Sequence, residues 1–236
     1  MTEESFIDFK CPHCSETVSF PEGCAGRAQE CPMCADTVIV PRDGSGLGRE
    51  LPLPLTTPRL TLRRLSGLDW KDLQECLSDE ELFRYEEGRP LDEEEITRWL
   101  EADSYVKLTT LNQVFCLGIE VTESSKLIGY LSLNFIDSRR LQAAVNILLN
   151  RGFQRKGFGT EAVGAALGFC FAGIGLHRVA AHCDSRNTAA CRLLEKVGLR
   201  REGEFLKDRF VNGEWVNTVW YAMLSEDYTK SGNRLS

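Results

Sequence analysis

The feature that most constrains this chain is a junction. The apolar run QAAVNILL (Gln142–Leu149) reads as a strand, and the apolar stretch from about Gly157 to Ala172 reads as a helix. Between them lies FQRKGFGTEA, Phe153–Ala162, with glycines at 157 and 159. A strand that turns into a helix through glycines leaves unpaired N–H groups at the positive end of the helix dipole, an arrangement that suits a phosphate. A nucleotide triphosphate loop needs Gly-Lys-Ser/Thr at its end, and the chain contains none. A dinucleotide fingerprint, G-x-G-x-x-A, matches Gly157–Ala162, with Asp184 ending the next strand. That motif starts directly after its strand, whereas Asn150–Lys156 intervenes here. It also opens a series of βαβ units, and the strands before this turn look antiparallel.

The surrounding pattern sets the fold class. Arg59–Leu65 alternates as a strand, and Asp69–Ser78 reads as a short helix. Asp92 is placed to cap a second helix, with Ile96, Trp99 and Leu100 on one face. Strands are expected over Gln113–Val121, Leu127–Ile136 and Gln142–Leu149, then over His177–Cys183, with a helix over Thr188–Val197. A final hairpin turns at Val211–Glu214 around Asn-Gly. The order β-α-α-β-β-β-α-β-α-β-β is α/β, with a mixed, mainly antiparallel sheet flanked by helices.

Ahead of this lies a different kind of sequence. Cys11, Cys14, Cys31 and Cys34 form CPHC-x16-CPMC, two short thiolate pairs with the spacing of a closed structural Zn²⁺ site. So short a segment cannot build a sufficient core alone, and metal binding supplies on the order of 10 kcal/mol to such modules. His13 and Cys24 lie outside the pairs and read as loop residues. Residues 1–43 are therefore expected to be a zinc-ribbon-like module, 44–56 (rich in Gly and Pro) a linker, and 57–230 the main domain.

Charge narrows the partners. The chain carries a net −7, and residues 1–43 hold eight Asp/Glu against three Lys/Arg. Phosphate backbones need cations, so nucleic acid is not the expected partner, and the ribbon is expected to serve structure or a protein partner. The start, MTEESFIDFK, lacks an apolar signal core, and no apolar run is long enough to span a bilayer. Cytoplasmic localisation is expected, with reduced cysteines.

Several stretches together resemble the GNAT superfamily of N-acetyltransferases, in the branch that includes the ribosomal-protein N-terminal acetyltransferases. Gln154-Arg155-Lys156-Gly157-Phe158-Gly159 is similar to its Q-x-x-G-x-G pyrophosphate loop. TPRLTLRRL, LIGYLSL, LHRVAAHCDSRNTAACRLLEKVGLRREG and NGEWVNTVWYAMLSEDY resemble its other segments, in the family's order. The resemblance runs from about Thr57 to Tyr228. It implies an enzyme that moves an acetyl group from acetyl-CoA to an amine, either a small molecule or a protein N-terminus. It places the cofactor on Gln154, Arg155, Lys156, Gly157, Phe158, Gly159 and Thr160. The parting of the family's fourth and fifth strands would fall at Leu148–Asn150. The backbone N–H of Ile147 would stabilise the oxyanion, and Leu149 and Asn187 would contact the cofactor arm.

The resemblance fails at the acid–base positions. The family's usual glutamate aligns with Ala143 or Ala144, its serine or tyrosine with Ala190 and Leu194, and an aspartate of the last hairpin with Asn217. Asp137, His182 and Glu120 are the replacement bases the sequence offers. A binding protein that keeps the acyl-CoA site without catalysis is the alternative reading.

Overall fold

The structure, a computed structural model, describes residues 5–42, 48–108, 114–136 and 141–230. Its first part is two small hairpins, β1 (Phe6–Lys10) with β2 (Thr17–Pro21), and β3 (Ala28–Glu30) with β4 (Thr37–Ile39). Each hairpin turns at a Cys-Pro-x-Cys, and the two turns match bond for bond. Cys11 N–H donates to Glu16 O and Ser15 N–H to Cys11 O; Cys31 N–H donates to Asp36 O and Ala35 N–H to Cys31 O. Ser15 and Ala35 both adopt a left-handed φ, 63° and 60°.

This part does not stand off from the rest. Ile39 is buried among Leu55, Leu60 and the main core, and Ile39 and Arg49 exchange backbone hydrogen bonds. The segment read as a linker is accordingly packed where it is described. Leu51 and Leu53 lie on the core, and Leu55–Thr56 is a strand, β5. The linker reading missed these residues because prolines interrupt their apolar pattern.

The main sheet continues with β6 (Leu60–Arg63), β7 (Val114–Val121), β8 (Lys126–Phe135), β9 (Gln142–Leu149), β10 (Arg178–Asp184), β11 (Arg200–Val211) and β12 (Glu214–Leu224). The spatial order is β11-β12-β10-β9-β8-β7-β6-β5. Every neighbouring pair is antiparallel except β9 with β10. Helices α1 (Trp70–Leu77) and α2 (Glu93–Ser104) cover one face. Asp92 and Glu95 cap α2 reciprocally, each side chain accepting the other's N–H, as the sequence predicted for Asp92. Helices α3 (Phe158–Gly168) and α4 (Thr188–Lys196) cover the other face. The long helix expected to reach Ala172 stops being α-helical at Gly168. There the chain widens into a π turn, Phe169–Gly173, closed by Ile174 N–H on Phe169 O. Helix α5 (Ser225–Lys230), not anticipated, ends the described chain.

The two faces have separate cores. Under α3 and α4 lie Val145, Leu149, Val179, Ala181, Cys183 and Tyr221. Under α1 and α2 lie Leu73, Ile96, Cys116 and Leu127, with Tyr130 and Leu148 against them. Alternate strand residues point to opposite faces, so the parity of each position assigns its face.

One glycine sets the path of β9. Gly129 in β8 has φ +151°, and a Cβ there would stand 2.1 Å from the carbonyl oxygen of Leu148 and 2.9 Å from Leu149 Cα. Both clashes are with backbone, so no side chain can yield. Gly129→Ala is expected to destabilise the protein by about 2 kcal/mol or more, since either β9 shifts or strain is stored. Urea unfolding would show it as a lowered midpoint with an unchanged slope.

Candidate active site

The one parallel pairing in the sheet is short. β9 and β10 align only through Gln142–Ala144 and Arg178–Ala180. Beyond Ala144, β9 is paired with β8 alone, and beyond Ala180, β10 is paired with β12 alone. The sheet therefore opens at Val145, earlier than the expected Leu148–Asn150. Asn150 N–H donates to Ile128 O and Ile136 N–H to Gln142 O, so even-numbered β9 residues bond to β8. By alternation, the N–H and C=O groups of Val145, Ile147 and Leu149 face the opening.

Two of these groups are already engaged. Ile147 N–H donates to the side-chain Oδ1 of its neighbour Asn146 at 2.9 Å. Asn146 is exposed, so this partner is exchangeable. The Leu149 carbonyl accepts from Gln154 Nε2 at 2.9 Å. Gln154 thus ties the strand end to the turn after it, and leaves the Leu149 N–H as the group Leu149 offers to the opening.

The glycine turn follows. Asn150 folds it back by accepting Gly152 N–H, and Arg155 takes a left-handed φ of 60°. Gly157, at φ 86°, is the residue before α3. The first bond of the helix entry runs from Glu161 N–H to Gly157 O, so the N–H groups of Phe158, Gly159 and Thr160 point out of the helix end unpaired by it. Gly159 has a packing reason as well, because a Cβ there would meet Leu193 Cδ1 at 2.7 Å. Arg155 is exposed and makes no hydrogen bond or ion pair among the described residues. Lys156 Nζ donates to Gly152 O.

A clamp unseen in the sequence fixes this turn. Glu161 in the first turn of α3 accepts from Thr57 Oγ1 at 2.7 Å, from Arg59 N–H at 2.9 Å and from Arg59 Nε at 2.7 Å. Arg59 Nη1 also donates to Lys156 O, and the guanidinium lies 4.4 Å from the centre of the Phe158 ring. Burial opposes ionisation of Glu161, but the bonds from Thr57 and Arg59 outweigh it and hold the carboxyl below its ordinary range. The partners are about a hundred residues apart in sequence, so only the fold joins them.

Residues 59–200 match the profile of the acetyltransferase (GNAT) domain. The chain belongs to the GNAT acetyltransferase family. Enzymes of this family transfer an acetyl group from acetyl-CoA to an amine. The chain is 27% identical over 175 residues to the "Uncharacterized N-acetyltransferase YnaD" of Bacillus subtilis, covering 74% of this chain and 98% of that one. A segment of 106 residues is 26% identical to the spermidine N(1)-acetyltransferase of Escherichia coli, 45% of this chain and 55% of that enzyme. Among solved structures, a GNAT acetyltransferase from Bacillus anthracis aligns with a TM-score of 0.67 and 26% identity over 73% of this chain and 98% of that one. Spermidine N-acetyltransferase from Vibrio cholerae, solved with CoA and spermine, shares the GNAT fold at a TM-score of 0.64 and 23% identity, over 73% of this chain and 99% of that one.

The residues read as bases fall in different places. Glu120 is committed elsewhere, its carboxylate 2.7 Å from Arg63, which also pairs with Asp69 at 2.8 Å. Asp137 lies outside the described residues. His182, on β10, stacks on Trp220 at 4.7 Å. Burial, with Arg209 adding to it, lowers its pKa below the ordinary 6.5, so the ring is neutral at neutral pH. Asn187 caps α4, accepting Ala190 N–H at 3.1 Å. Asn217 spans the last hairpin, bonding Lys207 N–H and Glu204. Among the described residues no carboxylate stands at Ala143 or Ala144. The buried Asp184, held by Arg186 at 2.7 Å, anchors the open end of β10, and Arg186 reaches on to Glu214 at 2.9 Å.

The four cysteines converge as their spacing predicted. All four sulfurs lie within 4.8 Å of one another, with Cys11–Cys34 at 3.8 Å and Cys14–Cys31 at 3.9 Å. Sulfurs at about 2.3 Å from a tetrahedral Zn²⁺ are about 3.8 Å apart, so the donor set fits that ion. At Cys31 burial opposes the thiolate, but backbone N–H groups of Cys34 and Met33 prevail and bring the thiol down to about 7. His13 Nε2 lies 3.1 Å from Thr37 O, outside the cluster.

Glu161→Ala is expected to weaken acetyl-CoA binding about tenfold, the equivalent of about 1.4 kcal/mol. Titration calorimetry would measure it. Because the folded carboxyl is lowered, the clamp's contribution is complete above the ordinary carboxylate range. It is lost as pH falls through the lowered value.

Proposed function

We propose that this acetyltransferase acts on an α-amine, or another amine of low pKa, in preference to a lysine side chain. The observation that carries the reading is the start of β9, where neither Ala143, buried under α3 and α4, nor Ala144 on the opposite face supplies a carboxylate. Attack on the thioester requires a neutral amine. Near pH 7.5 a lysine of pKa about 10.4 costs about 4 kcal/mol to deprotonate, an α-amine of about 7.7–8.0 only a few tenths. A site without the family's strongest base tolerates the second far better than the first.

In this reading acetyl-CoA lies in the β9–β10 opening. Its pyrophosphate meets the N–H groups of Phe158, Gly159 and Thr160 and the free Arg155 cation. Its carbonyl takes the Ile147 N–H from Asn146. In the same reading the Leu149 N–H and the Asn187 side chain meet its arm. The cysteine cluster holds a structural Zn²⁺, and with four thiolates it leaves no open position for catalysis. The acidic ribbon is read as a module for a protein partner.

A second reading, an acyl-CoA sensor without turnover, is favoured by the same alanines and by Ala190 in place of a hydroxyl. Turnover separates the two. Thiol release from acetyl-CoA is expected with peptides bearing a free α-amine, and at least about tenfold more slowly with lysine side chains or spermidine near neutral pH. A pH–rate profile governed by a lysine-like pKa, with efficient lysine acetylation, would overturn the preference. Tight acetyl-CoA binding without transfer to any acceptor would favour the sensor.

Metal analysis of freshly reduced protein is expected to give about one equivalent of zinc, and Cys14→Ser to lower both metal content and thermal midpoint. A content below about half an equivalent would count against the site.

A further inference from the structure

The β9–β10 opening has two faces. The α3–α4 face carries the phosphate turn. The α1–α2 face presents Leu148 of β9 and Tyr130 of β8, both packed toward α1 and α2, and His182 of β10, opposite in parity to the buried Cys183. An acceptor reaching the opening from the side away from the phosphate turn meets this second face.

The chain between α1 and α2 lies over it. Asn212, at the tip of the β11–β12 hairpin, donates to the carbonyls of Phe83 and Arg84 and holds that chain in place. Two residues further on stand Glu86 and Glu87. Glu87 is exposed and takes Arg209 Nε at 3.0 Å. Glu86 is about two-thirds covered, and among the described residues its one ion-pair contact is Arg209 at 3.9 Å, beyond hydrogen-bond length. Phe83 and Leu91, on either side of Glu86 in this chain, share a cluster with Tyr130 and Leu148, while Asn212 and Arg209 tie the same chain to the β11–β12 hairpin, so it crosses the β9–β10 opening on this face. Tyr130 sits directly across from Leu148 in the β8–β9 pairing. The carboxylate therefore stands on the acceptor side of the opening, incompletely paired, where β9 itself offers no carboxylate.

We propose that Glu86 is the general base of the reaction, taking a proton from the acceptor's ammonium group. The inference rests on the reading of this site as an amine acetyltransferase. The acceptor enters as R–NH₃⁺ and passes one proton to the Glu86 carboxylate. The freed lone pair forms the C–N bond to the acetyl carbon as the carbonyl opens to an oxyanion. Collapse breaks the C–S bond, and a second proton moves from nitrogen to the departing sulfur, giving the amide and the thiol. Glu86 then returns its proton to solvent. The groups facing it are consistent with this role. Burial raises its pKa, Arg209 of β11 opposes the rise, and Asp184 of β10 and its neighbour Glu87 add to it. His182, also on this face, is the neutral aromatic wall with Trp220.

The test compares the full-length wild type with Glu86→Gln over a range of pH. Three probes are used: a tripeptide with a free α-amine, spermidine, and hydroxylamine, a weak base already neutral near pH 7. With the best charged acceptor, kcat/KM of Glu86→Gln is expected to fall by about 100-fold or more near neutral pH and to recover as pH rises past the amine's own pKa. Hydroxylamine is expected to react equally with both proteins, and acetyl-CoA affinity to stay unchanged. Equal rates and equal pH profiles with the charged acceptors would overturn the proposal. So would a loss that is the same for hydroxylamine and independent of pH, which marks a structural effect. If spermidine is acetylated and the tripeptide is not, the α-amine reading fails, and Glu86 is judged on spermidine. A wild type that binds acetyl-CoA but transfers to none of the three overturns both.

Discussion

The pairing of β9 with β10 ends after three residues on each strand, and the site is built around that ending. A parallel pair that continued would fill both strands' hydrogen bonds and leave a closed sheet. Stopping at Ala144 and Ala180 leaves the odd-numbered groups of β9 directed into a gap between two well-supported strands. β9 is held by β8 through the close crossing at Gly129, and β10 by β12 and the Asp184–Arg186–Glu214 chain. Buried peptide groups are rarely left unpaired, and here one is covered by an exposed asparagine and another by a glutamine. The opening is thus held rigid while its polar groups stay exchangeable, which is the preorganisation that acyl transfer uses.

The donor and acceptor sides are organised by different means. On the donor side, charge is spent on geometry. Arg59, a cation beside the phosphate turn, is bound to Glu161 and the Lys156 carbonyl, and so stiffens the turn more than it neutralises a ligand. Among the described residues, the cation of this turn without a hydrogen bond or ion pair is Arg155. On the proposed acceptor side, the groups come from chain segments outside the sheet's centre, namely the α1–α2 connection and the last hairpin, which touch each other through Asn212 and Arg209. Acceptor preference can then change with those segments while the donor half stays constant. Relatives sharing this fold include enzymes named for spermidine.

How much of this was legible in the sequence depends on the range of the interaction. The strand and helix order, the Asn-Gly hairpin, the Asp92 cap, the cysteine cluster and the phosphate turn are all local patterns, and they were readable because periodicity and spacing carry them. β5 was hidden by prolines, and α5 by its short polar composition. The start of the opening was misplaced, because strand pairing is a relation between distant segments and leaves no mark on either one. Glu120 looked available until its partner Arg63, on another strand, was known. Glu161 and Glu86 went unnoticed for the same reason, each being one acid among many whose role comes from what lies across from it. Glu86 has one weak local sign, an acidic doublet before Gly88 between two helices, which an ordinary solvated loop shares.

Ile39 ends β4, the last strand of the second cysteine hairpin, yet it is buried in the core of the acetyltransferase fold. Whatever ion binds the four thiolates only in the folded hairpins draws the folding equilibrium with it by mass action. Through Ile39 that pull extends past the hairpins to the sheet that carries the β9–β10 opening. In the proposed zinc-bound form, the stability of the catalytic part would be a function of free metal concentration, although the metal would lie outside the chemistry. An acetyltransferase wired in this way would respond to metal scarcity by its abundance, before any change in its rate constants.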